Sequence, residues 1–442
     1  MADPSSVGFR ARQRTANLRR AQSIELQDIC VTLRAMSTPS PDVVAPAHPG
    51  RASEVLLAFL GLGLRSFGGP IAHLGYFRHE FVERRRWLDD ARFSQLLALC
   101  QFLPGPASSQ LGFAIGLMRA GWQGALAAFI GFTLPSALLM LGFAAWAPYL
   151  RGEAGQALLH GLKLVAVVVI AHGVWGMWRS LAPDAPRRLL ALLACAVLLW
   201  WPLAWMQLLV IAAAAALGPG WCRRVTVHAD AVPAVSYGRR TAALWLVLYA
   251  VLLGIALGIG THGAWFVQVG AAFYRAGALV FGGGHVVLPW LRQALVEPGW
   301  VDEGSFLAGY GAAQAMPGPM FSLAAYLGSQ VMGGQGGVAG ALLALLMIFL
   351  PGFLLLAGVL PFWQRLSARA GAVRAVAAIN AAVVGLLAAA LYRPVWTGTV
   401  ESMADVAIAA GGFLMLTVAR RPAWVAVLWC VLATIAQRLW WH

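Results

Sequence analysis

Charge is what this sequence has least of. Only 11% of its 442 residues are charged, against about 25% in a soluble domain. Acidic side chains are scarcest, at 17, and of the 32 basic residues all but Lys163 are arginine. Apolar residues make up 60% of the chain, with a mean hydropathy of +0.72. Soluble chains split into domains before one core can bury so much. A soluble enzyme is therefore excluded, and a polytopic membrane protein is expected.

Other absences narrow the function. The five cysteines show no CxxC spacing, which argues against a metal centre or a disulfide framework. No HExxH, GxSxG, Walker A or Rossmann pattern occurs, so nothing points to metal-assisted hydrolysis, a nucleophilic serine or nucleotide-driven work. No catalytic residue, metal or cofactor is expected, and the chain does not read as an enzyme. The net charge of +15 would suit a nucleic acid, but the arginines lie scattered between apolar stretches. Cytoplasmic loops of membrane proteins look like this, so the expected contacts are lipid rather than nucleic acid.

Residues 1–52 are basic, poor in aromatics and rich in Ser, Thr, Pro and Ala towards their end. They lack the apolar core of a signal peptide and read as a disordered cytoplasmic tail. Beyond them, apolar runs bounded by Arg, Gly and Pro predict about thirteen spans: 53–70, 93–118, 122–148, 157–178, 188–201, 203–218, 241–260, 264–282, 305–332, 337–362, 372–391, 403–418 and 423–440.

The chain also repeats itself. WLDDARF (87–93) returns as WVDEGSF (300–306), QFLPGP (101–106) as QAMPGP (314–319), FGGP (67–70) as FGGG (281–284) and FTLP (132–135) as IFLP (348–351). Four motifs in one order and at nearly one offset indicate a tandem duplication. The expected organisation is a first repeat over 53–218, a linker with one extra helix over 219–263, and a second repeat over 264–442. Seven spans separate equivalent starts, and an odd number inverts one repeat relative to the other, a common plan of secondary transporters. The predicted cytoplasmic loops then collect most arginines, with one exception. Residues 71–92 carry Arg78, Arg84, Arg85, Arg86 and Arg92 on the nominal outside. Either the count is off by one there, or that segment folds back into the protein.

Two motif pairs are candidates for chemistry. Gly68, Gly69 and Pro70 end the first apolar run early, between Arg65 and His73, and Gly282 and Gly283 do the same before His285. Irregular backbone at membrane depth survives only where protein or a polar cavity covers it, and freed amides suit an anion. The alternative is a tight turn. The second pair, Pro104-Gly105-Pro106 and Pro317-Gly318-Pro319, must break its helices. Such breaks present half-helix N-termini with partial positive charge, beside Gln101, Ser108, Ser109 and Gln110. The alternative there is a packing kink. Lys163 is an ionisable residue within a span, with snorkelling from about two turns inside the segment as the alternative; no acidic residue falls deep in a span, a contrast that favours an anionic substrate. Arg85 and Arg86 precede Trp87 and have the fork geometry for an oxyanion, with lipid binding or ion pairing to Glu80, Glu83, Asp89 and Asp90 as the alternative.

FGGPIAH, FVERRRWLDD, QFLPGP and GFTLP, doubled in one chain, resemble the chromate ion transporter family, of the long two-domain type. The resemblance covers 53–180 strongly and 264–391 less so. It implies efflux of chromate driven by the proton motive force across a bacterial inner membrane, conferring chromate resistance, with sulfate as a substrate analogue. Protons as coupling ions and a homodimer are further expectations. A sulfate-type importer or an anion channel on the same scaffold are the rival readings.

Overall fold

The computed structural model describes residues 50–440, apart from 68, 151, 202, 226–236, 260–263 and 282–283. The expected basic tail thus lies almost wholly outside the described residues. Among those described the chain is all-α, without a strand. Five helical stretches, 107–149, 153–181, 239–258, 337–362 and 370–393, are long and apolar enough to cross a membrane. The chain is a multi-pass membrane protein.

The first repeat opens with short helices. Helix α1 (Ala52–Arg65) breaks at Ser66, and α2 (Gly69–Arg78) continues through a π-helical turn over His79–Arg84. Helix α3 (Asp90–Phe102) ends at the first Pro-Gly-Pro, after which α4 (Ala107–Trp146) begins. Helix α4 is two limbs, because Ala120 and Gly121 leave helical φ/ψ, Gly121 with φ +63°. The limbs fold onto each other where Gly116 and Gly124 meet, each so near the other's carbonyl oxygen that a Cβ would sit 2.2–2.3 Å away.

Contacts fix where those short helices begin and end. Gly50 N donates to Arg119 O (2.9 Å), and the Arg119 guanidinium reaches Glu54 at 3.3 Å. The same guanidinium lies 5.1 Å over the Trp87 ring. The start of α1, the approach to α3 and the end of the first α4 limb therefore share one end of the bundle. The chain goes in and returns twice before the second limb carries it through. Thus 53–70 and 93–118 are not single spans, and residues 71–92 fold back. The arginines that broke the expected pattern stand at the same end as Arg119.

Helices α5 (Glu153–Leu181), α6 (Ala185–Trp200), α7 (Ala204–Trp221) and α8 (Arg239–Gly258) follow. The pattern of the first repeat then recurs as α9 (Trp265–Ala278), a 3₁₀ turn over Gly284–Val286, α10 (Val287–Leu295), α11 (Glu303–Ala315), α12 (Leu323–Gly334) and α13 (Gly337–Val359). Met332 N donates to Trp300 O (3.0 Å), closing the equivalent in-and-out hairpin. Gly328 and Gly340 repeat the close approach of Gly116 and Gly124. Helices α14 (Trp363–Ser367), α15 (Ala370–Ala390), α16 (Met403–Thr417) and α17 (Ala423–Trp440) complete the chain.

The recurrent WLDD and WVDE motifs acquire a local reason. Asp89 accepts from Arg92 N (2.7 Å) and Asp302 from Ser305 N (3.0 Å), so each carboxylate caps the half-helix that enters the protein. A large core joins α5, α9–α13, α15 and α16, and a second packs α1–α4 against the end of α13.

Candidate functional site

The two repeats cross at their breaks, and they do so reciprocally. Gly105 of the first Pro-Gly-Pro donates its amide to Val280 O (2.7 Å), just after α9. Gly318 of the second donates to Ser66 O (2.9 Å), just after α1. Both glycines have positive φ, +121° and +101°. A Cβ on Gly105 would lie 3.1 Å from Gly352 Cα, and one on Gly318 would lie 2.7 Å from Ser136 Oγ. Gly352 follows Pro351 and Ser136 follows Pro135, equivalent places in the two repeats. All six Pro-Gly-Pro residues are buried.

Polar side chains gather at this crossing. His73 is fully buried and its Nε2 shares Ser66 O at 3.2 Å, while its ring meets Phe132 edge-on. Gln110, also fully buried, donates from Nε2 to Pro104 O and Gly352 O, both 3.0 Å. That clamp ties the first break to the second repeat. Several buried polar atoms beside the crossing have no hydrogen-bond partner: Ser66 Oγ, His73 Nδ1, Ser109 Oγ, Gln110 Oε1, Thr133 Oγ1 and Gln314 Nε2. Leaving such atoms unpaired costs roughly 1–3 kcal/mol each, so a cluster of them is unusual in a packed interior. Helix α4 also starts here with no side-chain cap, leaving amides at a positive end.

The other expected residues fall in several places. Gly69 opens α2 with φ +78°, while Gly68, Gly282 and Gly283 lie outside the described residues. Gly105 and Gly318, expected at the site, have their own amides consumed by Val280 O and Ser66 O, while the free-amide expectation concerned Gly68, Gly282 and Gly283, outside the described residues, and Gly69. His285 sits deeper in the second repeat, its Nδ1 2.7 Å from Tyr310 OH. Ser108 is buried beside Ser109. Arg65 and Gln101 are exposed, Arg65 donating back to Gly61 O (2.8 Å).

The Arg cluster is largely paired. Arg84 and Arg85 both bind the buried Glu80 carboxylate, at 3.1 and 2.6 Å, and Arg85 lies 5.3 Å over Trp87. Arg78 binds Glu83 and Asp90, and Arg92 binds Asp89. Arg86 is exposed with φ +52° and has no side-chain partner among the described residues.

Lys163 lines a polar cavity of about 450 Å³ at the far end, opposite the Arg cluster, with His160, Asp302, Tyr326, Glu401 and Arg438. Beside it Asp405, in the first turn of α16, is 2% exposed and receives His160 Nε2 at 3.0 Å. It also completes a capping box with Ser402 at the start of α16. The Ser402-x-x-Asp405 spacing was visible in the sequence. The partner 245 positions away was not.

Comparison with known proteins now decides the family. The chromate transporter profile matches twice, over residues 53–219 and 267–435. The chain belongs to the chromate transporter family. It is 29% identical to a chromate transport protein of Pseudomonas aeruginosa over 359 residues, 76% of this chain and 79% of that one. A chromate transport protein of Cupriavidus metallidurans is 28% identical over 362 residues, 78% and 83% of the two chains. An uncharacterized transporter of Methanocaldococcus jannaschii is 24% identical over 347 residues, 77% and 84%. No solved structure matches.

Proposed function

We propose that the protein carries chromate or a similar tetrahedral dianion outward across the bacterial inner membrane, by secondary transport rather than enzymatic chemistry. The observation that carries this reading is the reciprocal crossing of the two breaks, ringed by unpartnered buried polar atoms. Duplicated transporters bind substrate at such a place, near mid-depth at the repeat interface. A dianion there is compensated by the start of α4, the serine hydroxyls, His73 and Gln314. Buried without such donors its desolvation would be prohibitive.

In this reading the second α4 limb, α5–α8, α13 and α15–α17 are the spans, nine in place of thirteen. Five of them separate the starts of α1 and α9, so the count stays odd and the repeats are inverted. The end bearing Arg78, Arg84–Arg86, Arg119, Arg187, Arg188, Arg223 and Arg224 is cytoplasmic by the positive-inside rule. Arg292 lies outside in this reading, where it pairs with Glu297 and Glu303. The Arg-rich mouth draws anions from the cytoplasm. A membrane potential negative inside then favours the exit of a dianion, by roughly 2.3 kcal/mol per charge per 100 mV, so the electrical part of the proton motive force drives efflux. ΔpH adds only if protons are counter-transported.

Ser109→Ala provides the test. Removing an unpartnered hydroxyl should leave the melting temperature unchanged, while the apparent KM for labelled chromate in everted vesicles rises severalfold. Unchanged KM would remove Ser109 from the site, and wild-type vesicles that accumulate no chromate would overturn the reading.

A further inference from the structure

The two repeats match in their breaks but differ in how their inner hairpins are covered. Helix α11 is packed along α5 and reaches α17. Gly311 lies so near Leu162 that a Cβ would meet its carbonyl oxygen at 2.0 Å, and a Cβ on Gly304 would meet Lys163 Nζ at 2.8 Å. Residues 306–314 of α11 are all buried.

Its counterpart α3 packs on α4 and has no comparable contact with α15, the counterpart of α5, among the described residues. The motif offset of 213 places Ala91, Ala98 and Gln101 of α3 where α11 has Gly304, Gly311 and Gln314. Ala91, Ser94, Ala98 and Gln101 form one exposed stripe at helical spacing. Two of its four residues, Ser94 and Gln101, are polar, and at the end that carries the Arg cluster they suit water better than lipid. The helix it would meet is close by, because Phe102 at the end of α3 stacks edge-on against Trp363, seven residues before α15 begins. Counted from their first residues, Lys163 of α5 corresponds to Asn380 of α15, whose Oδ1 is buried and unpartnered. Nearer the arginine-rich end, Arg374 Nε is likewise buried without a partner.

We infer that the gap between α3 and the first half of α15 is the cytoplasmic entry path for the anion, and that it closes when α3 docks on α15 as α11 now docks on α5. The inference rests on the carrier reading above and assigns its gate. Ser94 and Gln101, exposed on α3, face that path. Closure brings the Ala91–Ala98 face against α15, and the exchange of roles between inverted repeats requires α11 to part from α5. The polar cavity around Lys163, whose Gln156, Asp302 and Glu401 are already exposed at the far end, deepens towards the breaks with that parting. The structure thus holds the cytoplasmic path open, and α3 is the moving wall.

Two measurements test this. Spin labels at Ser94→Cys and Gly371→Cys, on a cysteine-free background in liposomes without substrate, should report two distances. Both positions are exposed, and a Cβ at Gly371 meets nothing within 4 Å. Ala98→Trp should abolish the shorter distance and slow chromate flux at least tenfold, with unchanged melting temperature and oligomeric state. A single long distance, or wild-type flux in Ala98→Trp, overturns the inference. So does dissociation of an oligomer by Ala98→Trp, which would make the stripe a contact between copies. If wild-type protein shows both distances but moves no chromate, the substrate reading fails and the gate stands.

Discussion

At the residue scale, glycine decides whether the breaks can cross. Gly105 has positive φ, where a side chain strains the backbone, and a Cβ would crowd Gln110 Nε2 at 2.9 Å and Gly352 Cα at 3.1 Å. Gly105→Ala should therefore lower both stability, by roughly 1–3 kcal/mol, and transport. Measured melting temperature and flux should fall together, because the proposed site and the joint between repeats share these atoms. Gln110→Leu tests the clamp between repeats. Losing Nε2 leaves the carbonyls of Pro104 and Gly352 unpaired, at a cost of roughly 1–3 kcal/mol. A variant that keeps wild-type stability would show that the clamp is not formed in the resting protein. Arg85→Lys has a sharper expectation than a free arginine would. Its Nε is already committed to Glu80, so Lys should retain the pairing charge and leave the KM for chromate close to wild type.

At the scale of the element, short helices depend on their caps. Asp184 caps α6, accepting from Arg187 N at 3.1 Å and from the Arg187 guanidinium at 2.8 Å. These bonds hold its carboxyl below the usual carboxylate range. A lowered native pKa stabilises the fold above the unfolded value, and that stabilisation is lost as pH falls through the native one. Asp184→Ala should cost about 1 kcal/mol at pH 7. Its deficit in melting temperature should shrink as acid protonates the wild-type carboxyl, and a deficit that is the same at pH 7 and pH 3 would refute the cap. The two half-helix caps, Asp89 and Asp302, were legible as a repeated Trp-x-Asp motif. Their role was not, because the sequence marks a helix start without saying how deep that helix goes.

At the scale of the whole molecule, topology is the prediction. A cysteine at Arg86 should react with an impermeant thiol reagent from the same side as a tag in the 221–240 loop, and from the side opposite a C-terminal tag. Thirteen separate spans would put Arg86 opposite the loop instead. Tags reporting both chain ends on one side would refute the total of nine spans, and a tag between α8 and α9 on the same side as Arg86 would refute the inversion.

The all-α membrane class, the duplication and the two pairs of breaks followed from the sequence, because hydropathy and helix-breaking residues act locally and recur at one offset. The sequence also flagged Arg84, Arg85 and Arg86 as misplaced. The tertiary structure decided what local patterns cannot contain. It showed that α1 and α3 stop part-way and return, because Glu54, Trp87 and Arg119 meet at one end. It showed that the Pro-Gly-Pro amides serve the opposite repeat, and that His160 holds Asp405. It left α3 bare where α11 is covered. Each of these is a contact between residues far apart in the chain, or the lack of one, and helical periodicity carries no record of either.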